Sequence, residues 1–60
     1  MFIELIKMVN NYARPVLVNV SRINYIYQCV DGRTNIAFDD DTITVKNSIS
    51  QVHNMLNGIK

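Results

Sequence analysis

Thr34-Asn35-Ile36-Ala37-Phe38-Asp39-Asp40-Asp41-Thr42-Ile43-Thr44-Val45-Lys46 is the stretch whose reading decides the fold, with Asn47-Ser48-Ile49-Ser50-Gln51-Val52-His53-Asn54-Met55-Leu56-Asn57-Gly58-Ile59 directly behind it. Two short alternating segments flank an acidic turn. Ile36 and Phe38 fall on one side of the first segment, Ile43 and Val45 on one side of the second. With Asp40-Asp41 as the turn, Phe38 faces Ile43 and Ile36 faces Val45, giving a hairpin with one apolar side. The segment behind it has helical periodicity: Ile49, Val52, Met55, Leu56 and Ile59 form one stripe. Ser48 and Gln51 have capping-box spacing. Gly58 is a natural stop, and Lys60 is placed to favour the helix dipole. A helix this short does not fold alone, so it must lie on the sheet.

Upstream, Asp31-Gly32 signals a second hairpin, because glycine supplies the positive φ of a tight turn. Two registers are open. A two-residue turn pairs Tyr27 with Ile36 and Tyr25 with Phe38, with both tyrosines on the core side. A three-residue loop, Val30 to Gly32 with Gly32 left-handed, pairs Ile26 with Ile36 and Tyr25 with Ala37, and turns both tyrosines outward. A one-residue slip exchanges every side chain between faces. The second register is preferred, since it joins Ile26 to Ile36 and sets the tyrosines against small or polar Ala37 and Asn35.

Towards the N-terminus, Phe2 to Val9 reads as a strand with both faces partly buried. Asn10 to Arg14 reads as a loop ending at Pro15, which belongs at a strand start or an edge. Val16 to Val20 is a β-branched strand. Ser21-Arg22 reads as a short turn or bulge, and Ile23 to Val30 as the next strand. The fold class expected is α+β: a small antiparallel sheet of four to five strands, one C-terminal helix packed on one face, and residues 1–60 as a single domain. The core expected is Ile3 or Leu5, Val16 or Leu17, Val18, Ile26, Ile36, Phe38, Ile43, Val45, Ile49, Val52 and Leu56.

Sixty residues bury only ~60 % of the surface that the unfolded chain exposes, and scaffolds of this size often need staples or self-association. One cysteine excludes an intrachain disulfide and fits a reducing, cytoplasmic setting. No apolar run approaches the ~20 residues of a membrane span. Met1-Phe2-Ile3-Glu4 lacks the basic stretch of a signal peptide. A net charge of +1 is too small to point to nucleic acid through global electrostatics.

The runs Val16-Leu17-Val18-Asn19-Val20-Ser21-Arg22-Ile23, Ile36-Ala37-Phe38-Asp39-Asp40 and Thr44-Val45-Lys46-Asn47-Ser48, with Val52, resemble small bacterial proteins of the flagellar and swarming-motility type. Short proteins of gut bacteria and their phages look similar in the same places. The likeness spans roughly Phe2 to Leu56. It implies this fold and a bacterial or phage origin, and brings no catalytic residues with it. The chain departs from that pattern in the loop Asn10 to Arg14, which lacks the usual glycine.

Catalytic chemistry finds little to use. Cys29 and His53 are each single, and one of each is short of a zinc ligand set. They read as a small hydrophobe and a helix-flank imidazole. Asp39-Asp40-Asp41 lacks the spaced ligands of a calcium loop and reads as a solvated turn. The reading is therefore a non-enzymatic protein with no cofactor and no metal. The candidate binding surface is aromatic and basic: Tyr12, Arg14, Arg22, Tyr25, Tyr27 and Arg33. Tyrosine and arginine are enriched at protein interfaces and also stack on single-stranded nucleic acid. The plain alternative is packed tyrosines and solvated arginines. Hydrophobic residues make up 48 % of the chain, more than one helix on one sheet face can cover. That excess predicts a homo-oligomer, a dimer being the simplest, with Tyr25 and Tyr27 at the contact. A small nucleic-acid-binding regulator and a motility accessory protein are the rival readings.

Overall fold

The computed structural model describes residues 1–58. Its elements are β1 (Phe2–Val9), β2 (Tyr12–Asn19), a 3-10 turn (Val20–Arg22), β3 (Tyr25–Gln28), β4 (Thr34–Ala37), β5 (Thr42–Val45) and α1 (Ile49–Asn57). The strands form one antiparallel sheet in the order β2-β1-β5-β4-β3. The α+β class, with five strands and a C-terminal helix, is as the sequence indicates.

Each turn has a local cause. Gly32 takes φ +91°, and Cys29 N–H donates to the Arg33 carbonyl at 2.7 Å. Val30 to Gly32 is therefore the three-residue loop, and Tyr25 pairs Ala37, Ile26 pairs Ile36 and Tyr27 pairs Asn35. This is the preferred register. Between β1 and β2 the loop is shorter than expected. Val9 pairs directly with Tyr12, so Asn10-Asn11 alone make the turn, and Asn10 adopts φ 54°. Asparagine tolerates the left-handed region better than other non-glycine residues, which is how the chain turns there without a glycine.

Pro15 is inside β2, opposite Ile6, not at its start, but β2 is an edge strand, the other place expected for it. Ile6 N–H donates to Asn47 Oδ1 at 2.8 Å, and Ile6 C=O accepts from Lys46 N–H at 2.7 Å. Both backbone groups of Ile6 thus point towards β5. The Ile6–Pro15 pair needs no hydrogen bond, and the missing proline donor faces the free edge of β2.

The β4–β5 hairpin differs from the register expected. Ile36 pairs with Ile43 and Thr34 with Val45, a shift of two residues. The turn is Asp39-Asp40, one residue earlier than Asp40-Asp41 and of the same length. Phe38 N–H closes it on the Asp41 carbonyl at 2.8 Å, and Asp41 Oδ1 accepts from Thr42 N–H at 2.8 Å. A slip of two keeps every side chain on its face, so the apolar side of the hairpin is unchanged.

The helix begins as its sequence says. Ser48 Oγ accepts from Gln51 N–H at 3.2 Å and Gln51 Oε1 from Ser48 N–H at 2.9 Å. Gly58 ends it in a right-handed conformation at φ −74°, so no left-handed cap is used. The expected roles of Ile59 and Lys60 lie outside the described residues.

A flat sheet would set edge strands β2 and β3 about 19 Å apart, four spacings of ~4.8 Å. Only residues 20–24 join them, and three of these are coiled into the 3-10 turn, which rises ~2 Å per residue. The sheet therefore curls, in the sense its intrinsic twist favours, and brings the end of β2 opposite the β4–β5 loop. Its concave face holds the core: Ile3, Leu5, Val18, Ile36, Ile43 and Val45, closed by Val52 of α1. Val16, Ile26, Phe38 and Leu56 are half-buried against it, while Leu17 is 65 % exposed. Ile49 is half-buried and Met55 exposed, so the helix buries a narrower stripe than its sequence suggests.

One buried polar link fixes the helix to the sheet. Thr34 is fully buried, and its hydroxyl donates to the Asn47 carbonyl at 2.8 Å. The Asn47 side chain takes the Ile6 N–H. Asn47 thus ties β1, β4 and the start of α1 together, and satisfies a donor that the short β1–β5 ladder leaves over.

Candidate functional site

Strand alternation sorts the six candidate side chains. Tyr25 and Tyr27 pair with Ala37 and Asn35, whose neighbours Thr34 and Ile36 are core residues, so both tyrosines lie on the convex face. They are 61 % and 46 % exposed. Their rings stack with centroids 6.1 Å apart and planes inclined at 25°. The Tyr27 hydroxyl accepts from Asn35 Nδ2 at 2.8 Å, and Asn35 Oδ1 accepts from the Thr44 hydroxyl at 2.7 Å. This polar ladder crosses three strands, β3, β4 and β5, and lays the Tyr27 ring over the sheet. Asn35 and Thr44 escape a search for site residues because their types suggest only exposed strand. Their signal is the register, which sets them in one row with Tyr27.

Tyr12 and Arg14 stand elsewhere. They pair with Val9 and Lys7, on the concave-side parity of β1 and at the far edge of the sheet. With Val9 they line a depression of about 270 Å³. Arg22 is in the 3-10 turn after β2. Arg33 flanks the β3–β4 loop, where its Nε lies 3.6 Å from Asp31 Oδ2. Exposed pairs of this kind contribute little to stability. The single aromatic and basic patch expected from composition is therefore divided into three: the convex tyrosine pair with Arg33 beyond its loop end, the Tyr12–Arg14 corner, and Arg22. The cause is parity and strand order, which residue type alone does not carry.

Cys29 is half-buried and His53 exposed on α1. Among the described residues no cluster of three or more His, Cys, Asp and Glu is placed to hold a metal ion. No helix among them is long and apolar enough to cross a membrane. Every buried side-chain nitrogen or oxygen described has a hydrogen-bond partner, so none is left aimed at an absent ligand.

No protein-family model, curated protein or solved structure matches the chain.

Proposed function

We propose that this chain is a small non-enzymatic protein-binding module of a bacterium or phage, acting in the cytoplasm. Its contact is the convex tyrosine pair, and its first partner is a second copy of itself. The observation that carries this reading is the fixed, exposed stack of Tyr25 and Tyr27. Tyrosines present a large amphipathic area at low cost in side-chain entropy. Here the cost is lower still, because Asn35 already holds the Tyr27 hydroxyl. Preorganised groups of this kind favour association. A standard interface buries ~800 Å² on each partner, roughly a fifth of the 4361 Å² this molecule exposes.

Sedimentation equilibrium tests the reading. Wild type is expected to be mostly dimeric at ~100 µM if the dissociation constant is ~10 µM or tighter. Tyr27→Asp is expected to be monomeric throughout, with an unchanged fold by circular dichroism. A wild-type monomer at that concentration overturns self-association. The nucleic-acid reading predicts instead tight binding of labelled single strands at low salt with a steep salt slope. Two features weigh against it: Arg14 and Arg22 lie away from the tyrosines, and Arg33 is turned to Asp31.

A further inference from the structure

The curled sheet does not close. Between the end of β2 and the β4–β5 corner it leaves a cleft of about 370 Å³, lined by Val16, Leu17, Val18 and Asn19 on one side, and by Phe38, Asp39 to Asp41 and Ile43 on the other, with Arg22 at the rim. Ligand pockets begin near this size, ~300 Å³. The cleft combines three features. Its floor is apolar: Val16, Val18, Phe38 and Ile43 are core or half-buried residues. One wall is a free strand edge. Since Ile6 directs its backbone groups to β5, alternation directs those of Leu5 to β2 and those of Val16 back to β1. The backbone groups of Pro15, Leu17 and Asn19 then face away from the sheet. Leu17 offers N–H and C=O, Pro15 a C=O, and Asn19 an N–H. The opposite wall is acidic: three carboxylates face the one cation of Arg22. Asp39 is engaged with Asn24 and Asp41 with Thr42 N–H.

We infer that this cleft is a second docking site, which takes an extended peptide segment of another protein carrying an apolar residue and, two positions along, a lysine or arginine. The strand adds antiparallel to β2 and exchanges two hydrogen bonds with Leu17, the residue facing it. Proline limits the addition on one side, because position 15 has no donor to give. Residues flanking the central one project to the same side as Val16 and Val18. One fills the apolar floor, and the other brings its cation to the Asp39–Asp41 wall, where the two uncompensated negative charges favour it. The site is separate from the tyrosine pair and does not depend on self-association.

The probe is the blocked peptide acetyl-Thr-Leu-Thr-Lys-Thr-amide, titrated into 15N-labelled full-length protein and followed by amide shifts. Binding with the largest shifts at residues 16–19 and 39–41 is expected. Replacing the peptide lysine by glutamate, or N-methylating its central threonine amide, is expected to weaken binding at least ~5-fold, the factor of one charge or hydrogen-bond contact. Asp40→Asn, at the aspartate with no hydrogen bond shown to its side chain, is expected to weaken it ~3-fold and flatten its salt dependence. Tyr27→Asp is expected to leave it unchanged, which separates this site from the proposed dimer contact. The inference is overturned by no shifts at ~1 mM peptide, a concentration at which even weak segments of about −4 kcal/mol are half bound. It is overturned equally by shifts centred on Tyr25 and Tyr27, or by equal binding of the N-methylated or glutamate peptides.

Discussion

The two faces of the sheet are built from the same strands and fare differently. On the concave face Leu5, Ile36, Val45 and Val52 are wholly buried; on the convex face Phe2, Tyr25 and Leu17 are at least 60 % exposed. Strand alternation deals apolar residues to both sides, but the curl and the single helix cover one. The concave side therefore accounts for stability, and the convex side is available to a partner. Substitutions on the two sides are expected to separate into effects on unfolding and effects on association.

The largest expected effect is on the covered side. Leu5→Ala removes a wholly buried side chain of β1 from the core beneath α1, and is expected to cost ~2–5 kcal/mol. In so small a chain that is a large part of the total stability, and urea denaturation would show the midpoint collapse. Leu56→Ala is expected to cost less, since Leu56 is half-buried where the sequence suggests full burial. A mild Leu5→Ala would break the comparison at once.

Next comes the polar link beneath the helix. Thr34→Val keeps the shape and removes the hydroxyl that serves the Asn47 carbonyl. A loss of ~1–3 kcal/mol is expected, the cost of a buried polar group left unpaired. A neutral result would mean that water reaches Asn47. Ser48→Ala removes one half of the capping box and is expected to cost ~0.5–2 kcal/mol. Thermal melts at several protein concentrations would read both without confusion from self-association.

On the uncovered side the expectation reverses. Tyr25→Ser removes an exposed ring and is expected to change monomer stability by no more than ~0.5 kcal/mol. Its effect belongs in the association constant. If it unfolds the protein instead, the tyrosines are core residues in disguise and the distinction between the faces fails.

How much of this was legible depends on what fixes each turn. Gly32 has a backbone requirement that few residues meet, so the β3–β4 turn could be read directly, while its register and the outward tyrosines followed only from matching Ile26 to Ile36. The acidic loop has no such residue. Three successive aspartates accept a turn at either adjacent pair, and the chain turns at Asp39-Asp40, with the Asp41 side chain accepting from Thr42 N–H just behind it. Even so, the faces were right, because the error was an even number of residues. The Ser48–Gln51 cap was plain from spacing. Pro15 marked an edge strand, as found, but its place inside β2 depends on which way the backbone of Ile6 points, and that is set by Asn47, 41 residues away. The curl depends on the short path from β2 to β3 across an order of strands that the sequence does not display. For the same reason Tyr12, Arg14 and Arg22, alike in type to the residues beside Tyr25 and Tyr27, are divided among separate surfaces.

The central claim is that the covered face holds the fold and the convex tyrosine pair makes the contact. The most direct test is to record amide shifts of 15N-labelled wild type from ~10 µM to ~1 mM, a range that spans the dissociation constants of weak homodimers. The account predicts concentration-dependent shifts at Tyr25, Tyr27, Asn35 and Thr44, and none at Leu5, Ile36 or Val52. Shifts that centre on the helix or the concave residues, or a spectrum that does not change with concentration, would contradict it.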